Sequence, residues 1–241
     1  MTIFYFTGTG NSLFSARKVA ESTGARLISI PQVIQEKSAY SDDCIGFVYP
    51  QYANGLPKMV RNFISNNKFE ADYIFAINLW SFIHINALGE IASLLPLNYG
   101  AYLKTPMNFI FLLNSPKNPV RNLKKAEKRL DAIIGDIKKR KATVTKPRKG
   151  LGNATKHCGV SKFMLTPSCT KCGTCANVCL AQNIVLNDTV EFGNKCETCY
   201  ACVNLCPNHS IYSNKATLKR RQYRNPFVSL NEIELANTPL K

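Results

Sequence analysis

No stretch of this chain stays apolar for the ~18–20 residues that a membrane-spanning helix needs, so no membrane insertion is expected. Histidine is scarce, at three in 241 residues, and none of the three lies within either of two dense cysteine runs. That shortage argues against zinc sites of mixed cysteine and histidine. Acidic residues number only 15 against 31 lysines and arginines, for a formal charge of +16. No charged lead and apolar core opens the chain, because Met1 runs straight into Thr2-Ile3-Phe4-Tyr5-Phe6. A secretory signal is therefore not expected, and a reducing cytoplasm suits the free thiols. No acid–base pair stands out in the sequence, so no catalytic residue is assigned.

What is present is a core and a surplus of charge. The hydrophobic share of 45% excludes general disorder, and 241 residues are comfortable for two domains. Much of the positive charge lies between Lys117 and Lys149. It reads either as a solvated helix face or as a surface for acidic redox partner proteins, since complementary charge steers encounter. Nucleic acid is disfavoured, because aromatic stacking platforms are not interleaved through the basic stretch.

Eight of the ten cysteines fall into two runs of one spacing, Cys169, Cys172, Cys175, Cys179 and Cys196, Cys199, Cys202, Cys206. From Cys169 to Cys196, and from Cys179 to Cys206, the offset is 27 residues. Apolar Ile184 and Ile211 hold the same offset, so the whole unit repeats. Gaps of two, two and three residues suit a chain wrapping a pair of cubane iron–sulfur clusters. A pair of structural zinc sites shares the ligand type but not the spacing. Cys44 and Cys158 read as ordinary thiols.

These runs resemble the bacterial two-cluster ferredoxins. Carried over residue by residue, the resemblance implies one 4Fe-4S cluster on Cys169, Cys172, Cys175 and Cys206. It implies the other on Cys196, Cys199, Cys202 and Cys179. The proline expected after the last cysteine is present once, as Pro207, whereas Leu180 follows Cys179. That departure is expected to loosen the first turn without removing a ligand.

The first half alternates apolar strands with amphipathic helices, which predicts an α/β fold with a doubly wound parallel sheet. Strands are expected at Thr2–Phe6, Arg26–Ile30, Ile45–Tyr49, Tyr73–Leu79 and Phe109–Leu113. Helices are expected at Asn11–Glu21, Pro57–Ser65, Ala87–Leu95 and Pro119–Lys139. Five strands suit the flavodoxin-like order 2-1-3-4-5. The first strand ends in Thr7-Gly8-Thr9-Gly10-Asn11-Ser12, a turn that can cradle an anion with hydroxyls, amides and a helix amino terminus. It lacks the third small residue of a dinucleotide fingerprint and the lysine of a nucleotide P-loop. A hydroxyl-rich helix cap with no ligand is the plainer reading.

This turn resembles the flavodoxin phosphate loop, which implies FMN. Ring contacts would then come from loops after the third and fourth strands. Pro50, Tyr52, Asn54 and Gly55 are the candidates in one loop, and Leu79, Trp80 and Ser81 in the other. Trp80, Phe82 and His84 stand where many relatives carry glycines.

The two halves together resemble a family of flavodoxin–ferredoxin fusions. The expected organisation is an FMN domain over residues 1–140, a linker over 141–165, a small α+β two-cluster domain over 166–215 and a tail over 216–241. Within the tail, Arg220 to Pro226 is basic and aromatic, and Ser229 to Glu232 reads as a capping box. The resemblance implies a cytoplasmic electron carrier of an anaerobic cell, passing single electrons between FMN, two clusters and redox partner proteins. A flavin-dependent reductase of a small molecule stays open, as does a basic nucleic-acid-binding protein with structural metal sites.

Overall fold

The computed structural model describes residues 1–52, 55–82, 86–111, 113–143, 145–149 and 163–240. Asn54, His84, Cys158 and the middle of the expected linker lie outside the described residues. The chain opens with β1 (Thr2–Tyr5), α1 (Asn11–Thr23), β2 (Arg26–Ser29) and the single turn α2 (Ile30–Val33). A short β3 (Ala39–Ser41) precedes β4 (Cys44–Pro50), and α3 (Lys58–Asn66) with β5 (Lys68–Glu70) leads to β6 (Tyr73–Trp80). Next come α4 (Ala87–Ala92), β7 (Tyr99–Lys104) and α5 (Pro119–Lys138).

Five of these strands form one parallel sheet in the order β2-β1-β4-β6-β7. Leaving aside β3 and β5, which pair with each other, this is the order 2-1-3-4-5. Central strands covered on both faces read as continuous apolar runs, and β4 is buried from Cys44 to Tyr49. On one face α1 and α5 pack Leu13, Ala16, Leu130 and Ile133 against the sheet. On the other, α3 and α4 bring Val60, Phe63 and Ile91. The stripe Leu123, Ala126, Leu130, Ile133 and Ile137 of α5 is buried throughout. Asn118 starts that helix by accepting from the Arg121 amide at 3.0 Å, with Pro119 at its first position.

One expected strand is elsewhere. The fifth is Tyr99–Lys104, not Phe109–Leu113. As an edge strand it alternates buried and half-exposed residues and carries Gly100 and Lys104, so it offers no apolar run. The run at 109–111 is apolar for a different reason: Ile110 is fully buried among Cys175, Cys202 and Tyr200 of the second lobe. Two shorter differences follow from local chemistry. The second strand stops at Ser29, because Pro31 sets up the turn α2, and α4 ends at Ala92.

The cysteine lobe holds two short antiparallel pairs and two small helices. β8 (Met164–Leu165) pairs with β11 (Ile211–Tyr212), and β9 (Ile184–Leu186) with β10 (Val190–Phe192). α6 (Thr174–Asn177) and α7 (Ala201–Leu205) each carry the third cysteine of a run, Cys175 and Cys202. The repeat is visible in the backbone. Left-handed residues recur 27 positions apart at Lys171 and Thr198, Gly173 and Tyr200, and Gln182 and His209. A bulky side chain in that region is unusual; Tyr200 holds it with a buried ring set edge-on to Phe109 and Phe163, at 5.1 and 5.4 Å.

The tail returns to the sheet. The Ser229–Glu232 capping box starts α8 (Leu230–Asn237), which packs Ile233 and Ala236 into the core under α1. Arg17 pairs with Glu232, and the Ser29 hydroxyl donates to the Ala236 carbonyl. Residues 141–143 and 145–149 return beside the sheet, where Thr143 donates its amide to the Asn98 carbonyl and Arg148 to the Gly89 carbonyl of α4, each at 2.9 Å. Among the described residues no helix is long and apolar enough to cross a membrane.

Candidate functional site

A cavity of about 660 Å³ opens at the carboxyl ends of the sheet strands, where ligands of doubly wound folds bind. Its size falls within the ~300–1,000 Å³ usual for small-molecule sites. Its floor is the turn after β1: Thr7, Gly8, Thr9, Asn11 and Ser12 all line it. Thr7, Thr9 and Ser12 are buried there as polar residues. The first turn of a helix presents amides with no partner inside the helix, and the 13-residue α1 starts at this floor. No lysine or arginine is among the described lining residues.

The turn is held from several directions. Thr7 Oγ1 accepts from the Gly10 amide at 3.1 Å, and Thr9 Oγ1 accepts from Asn108 Nδ2 at 3.1 Å. Gly10 has φ 97°, and a Cβ there would meet Asn225 and Val228 at 3.0 Å. The glycine thus serves both the turn and the close approach of the tail. Asn11 Oδ1 accepts from the Tyr223 hydroxyl at 2.5 Å and from Asn225 Nδ2 at 3.1 Å. Tyr223 in turn gives its amide to Asn204 Oδ1, and Asn204 gives Nδ2 to the Asn108 carbonyl at 2.8 Å. Floor, tail and cysteine lobe are therefore one hydrogen-bonded unit.

Pro50, Tyr52, Leu79, Trp80 and Ser81 all reach the cavity wall. The Tyr52 ring sits edge-on to Phe6 at 6.0 Å, and the Lys104 ammonium lies 5.0 Å from the Trp80 ring centre. Gly10 and Gly55 are not brought to the wall. The Gly55 amide is used by the Tyr52 carbonyl at 3.0 Å, and its open side faces Glu90, which accepts the Leu56 amide and pairs with Arg61. A third wall was missed in the sequence: Thr105 to Phe109, with Leu113 at the rim. Placing the last strand at 109–113 hid it, although Pro106 directly after a strand marks a chain that has to leave the sheet.

The last wall comes from the other lobe, as Thr198 and Cys199 also line the cavity. A Cβ on Gly8 would touch the Cys199 Cβ and carbonyl at 3.4 Å. Behind this contact the eight cysteines gather around two small cavities. Cys169, Cys172, Cys175 and Cys206 share one, and Cys179, Cys196, Cys199 and Cys202 share the other. Among the described residues no three His, Cys, Asp or Glu side chains converge tightly enough for one ion.

Backbone amides serve the sulfurs with the same repeat. Asn183 donates to Cys179 Sγ at 3.2 Å and Ser210 donates to Cys206 Sγ at 3.3 Å. Burial pushes the Cys175 thiol up to about 11 and raises Cys199 and Cys202 well above the ordinary range, with neighbouring cysteines adding to the latter two. Cys172 is exposed, and the Thr174 hydroxyl, then its amide, lowers its thiol. Glu197 is 5% exposed, and burial raises its carboxyl despite the amides of Met59 and Lys58 at the start of α3.

Leu180, which stands where a proline was expected, is a seam residue. It is 2% exposed and packs with Phe4, Phe6 and Tyr49 of the sheet half. The departure does not loosen the turn toward solvent, because the leucine anchors one lobe to the other. The basic segment of the tail has a structural duty as well: Arg220 donates to the Ile110 and Phe111 carbonyls, and Arg221 to the Ser115 carbonyl at 2.8 Å.

No protein-family model and no curated protein matches this chain. Among solved structures it is similar to a candidate flavoprotein from Bacteroides uniformis, with a TM-score of 0.37 and 18% identity over 43% of this chain and 89% of that one. A second, from Bacteroides eggerthii, has a TM-score of 0.36 and 15% identity over 55% of this chain and 96% of that one.

Proposed function

We propose that this chain is an electron-transfer protein that holds FMN in the cavity at the carboxyl ends of the sheet strands and a 4Fe-4S cluster in each cysteine cavity. One observation carries the reading: Cys199 belongs at once to the wall of the large cavity and to the second cysteine set. FMN exchanges electrons in ones or twos and each cluster exchanges one, so the three groups would suit a converter between two-electron and one-electron partners.

The residues fit these groups. The uncharged floor of Thr7, Thr9, Ser12 and the α1 terminus would hold a phosphate by hydroxyls and amides. Tyr52, Leu79 and Trp80 would bound the flat ring. Eight soft thiolates would hold iron and sulfide. Because Cys175, Cys199 and Cys202 hold their protons tightly without metal, loading has to displace those protons.

The wall shared through Cys199 leaves little between cavity and second cysteine set, since a Cβ on Gly8 would already be in van der Waals contact with Cys199. The hydrogen bonds of Asn108, Asn204 and Tyr223 keep that separation constant by tying floor, lobe and tail together. Acidic redox proteins are the partners that the charge of +16 favours. Anaerobic purification with iron, acid-labile sulfide and flavin analysis tests the reading. Near-stoichiometric flavin with about eight irons per chain is expected for two cubane clusters. A colourless protein that cannot be reconstituted overturns it.

A further inference from the structure

Tyr52 enters the site twice. Its ring lines the large cavity, while its hydroxyl is sealed from solvent and has no hydrogen-bond partner among the described residues. Tyr52 and Gly55 exchange both amide–carbonyl hydrogen bonds at 3.0 Å. A methyl group built on Gly8 would lie 3.6 Å from the Tyr52 oxygen and 3.4 Å from the Cβ and carbonyl of Cys199. Hydroxyl and cysteine therefore converge on one point, at the seam sealed by Leu180. Glu197 Oε2, from the same run as Cys199, is a second buried oxygen without a partner.

Natural proteins rarely leave a buried hydroxyl unsatisfied, and a bound group is one reason to do so. The repeat supplies a comparison within the chain. In the first set, Cys172 Sγ has the Thr174 hydroxyl at 3.4 Å. Twenty-seven residues on, Cys199 has Ala201 at the equivalent place, which brings only a backbone amide at 3.5 Å. The second set lacks a hydroxyl of its own at this corner, and the sheet half brings one there.

We propose that the Tyr52 hydroxyl donates a hydrogen bond to the redox centre held by Cys179, Cys196, Cys199 and Cys202, and so raises the reduction potential of that centre alone. The inference rests on the cofactor reading above. A hydrogen bond to sulfur stabilises the reduced, more negative form, which is one of the ways proteins set cluster potentials. Tyr52 thus lines the large cavity and brings its hydroxyl to the point at Gly8 where Cys199 also arrives.

The experiment is an anaerobic reductive titration of the loaded protein, followed by electron paramagnetic resonance, on the unmodified chain, on Tyr52→Phe and on Tyr40→Phe. Tyr40 packs among Phe4, Phe63 and Phe69 and serves as a control. Tyr52→Phe should weaken reduction of one centre about tenfold, a fall of about 59 mV for one electron, with the other centre unmoved. Tyr40→Phe should move neither. On the unmodified protein, one reduced centre should show coupling to an exchangeable proton that disappears in Tyr52→Phe. Equal shifts of both centres, no shift, or an unchanged proton coupling would overturn the proposal while leaving the cofactor reading intact. A protein that takes up no iron or sulfide would overturn both.

Discussion

The two cysteine sets are copies of one 27-residue unit, yet they stand in opposite surroundings. The first keeps Cys172 exposed and carries its own hydroxyl at Thr174. The second also exposes one cysteine, Cys196, but meets the sheet half, with Leu180 in place of proline, Tyr200 in place of a left-handed glycine and Cys199 in the wall of the large cavity. Repetition alone makes two equivalent sites. Docking one of them against another lobe makes them different, so that only one reaches the wall of the large cavity.

The sharpest way to break this comparison is to remove one ligand from each set. Cys172→Ala and Cys199→Ala should each lower iron content by about half, since each set is read as one cubane. Only Cys199→Ala should also weaken flavin binding, by about tenfold, a loss of ~1.4 kcal/mol, because only Cys199 belongs to the cavity wall. Iron assay and fluorescence titration with FMN measure both; identical flavin affinity in the two variants would deny the asymmetry.

A smaller effect comes from exchanging the residues after the fourth cysteines. Leu180→Ala should destabilise the protein by about 2–5 kcal/mol, the usual cost of truncating a buried leucine. Pro207→Ala, at the repeat-equivalent exposed position, should cost less than about 1 kcal/mol. Urea unfolding followed by circular dichroism separates them, and equal costs would mean that Leu180 is no anchor.

The smallest effect concerns the tail that straps the two lobes. The Ser229 amide and hydroxyl, then Arg17, hold the Glu232 carboxyl below its ordinary value. A depressed carboxyl stabilises the fold above its unfolded value of 4.5 and loses that contribution as the pH falls through its folded value. The protection of α8 amides relative to their intrinsic exchange should therefore fall below about pH 4.5, and Glu232→Gln should abolish most of that dependence. An α8 protection with the same acid sensitivity in the variant would assign the strap to its apolar contacts alone.

Much of this was legible in the chain. The run from Thr7 to Ser12, the apolar runs of β1, β4 and β6, the stripe on α5 and the Ser229 capping box are local patterns. Backbone sterics, period and capping chemistry act within a few residues, so such patterns survive translation into structure. Edge strand β7 escaped because half-burial and Gly100 remove the apolar signal. Ile110 misled because an apolar residue reports burial, not what buries it. The loop 105–109 was lost with that strand.

The spacing of the cysteines, the hydroxyl-rich turn and the alternation of strands and helices were settled by the sequence alone, through geometry that needs only near neighbours along the chain. Which residues share a point in space was decided by tertiary structure. Cys199 against Gly8, Leu180 in the sheet core and the Tyr52 hydroxyl at the seam join positions more than a hundred residues apart. Their meeting depends on how two separately patterned surfaces pack, and no period or spacing in one segment encodes the face presented by the other.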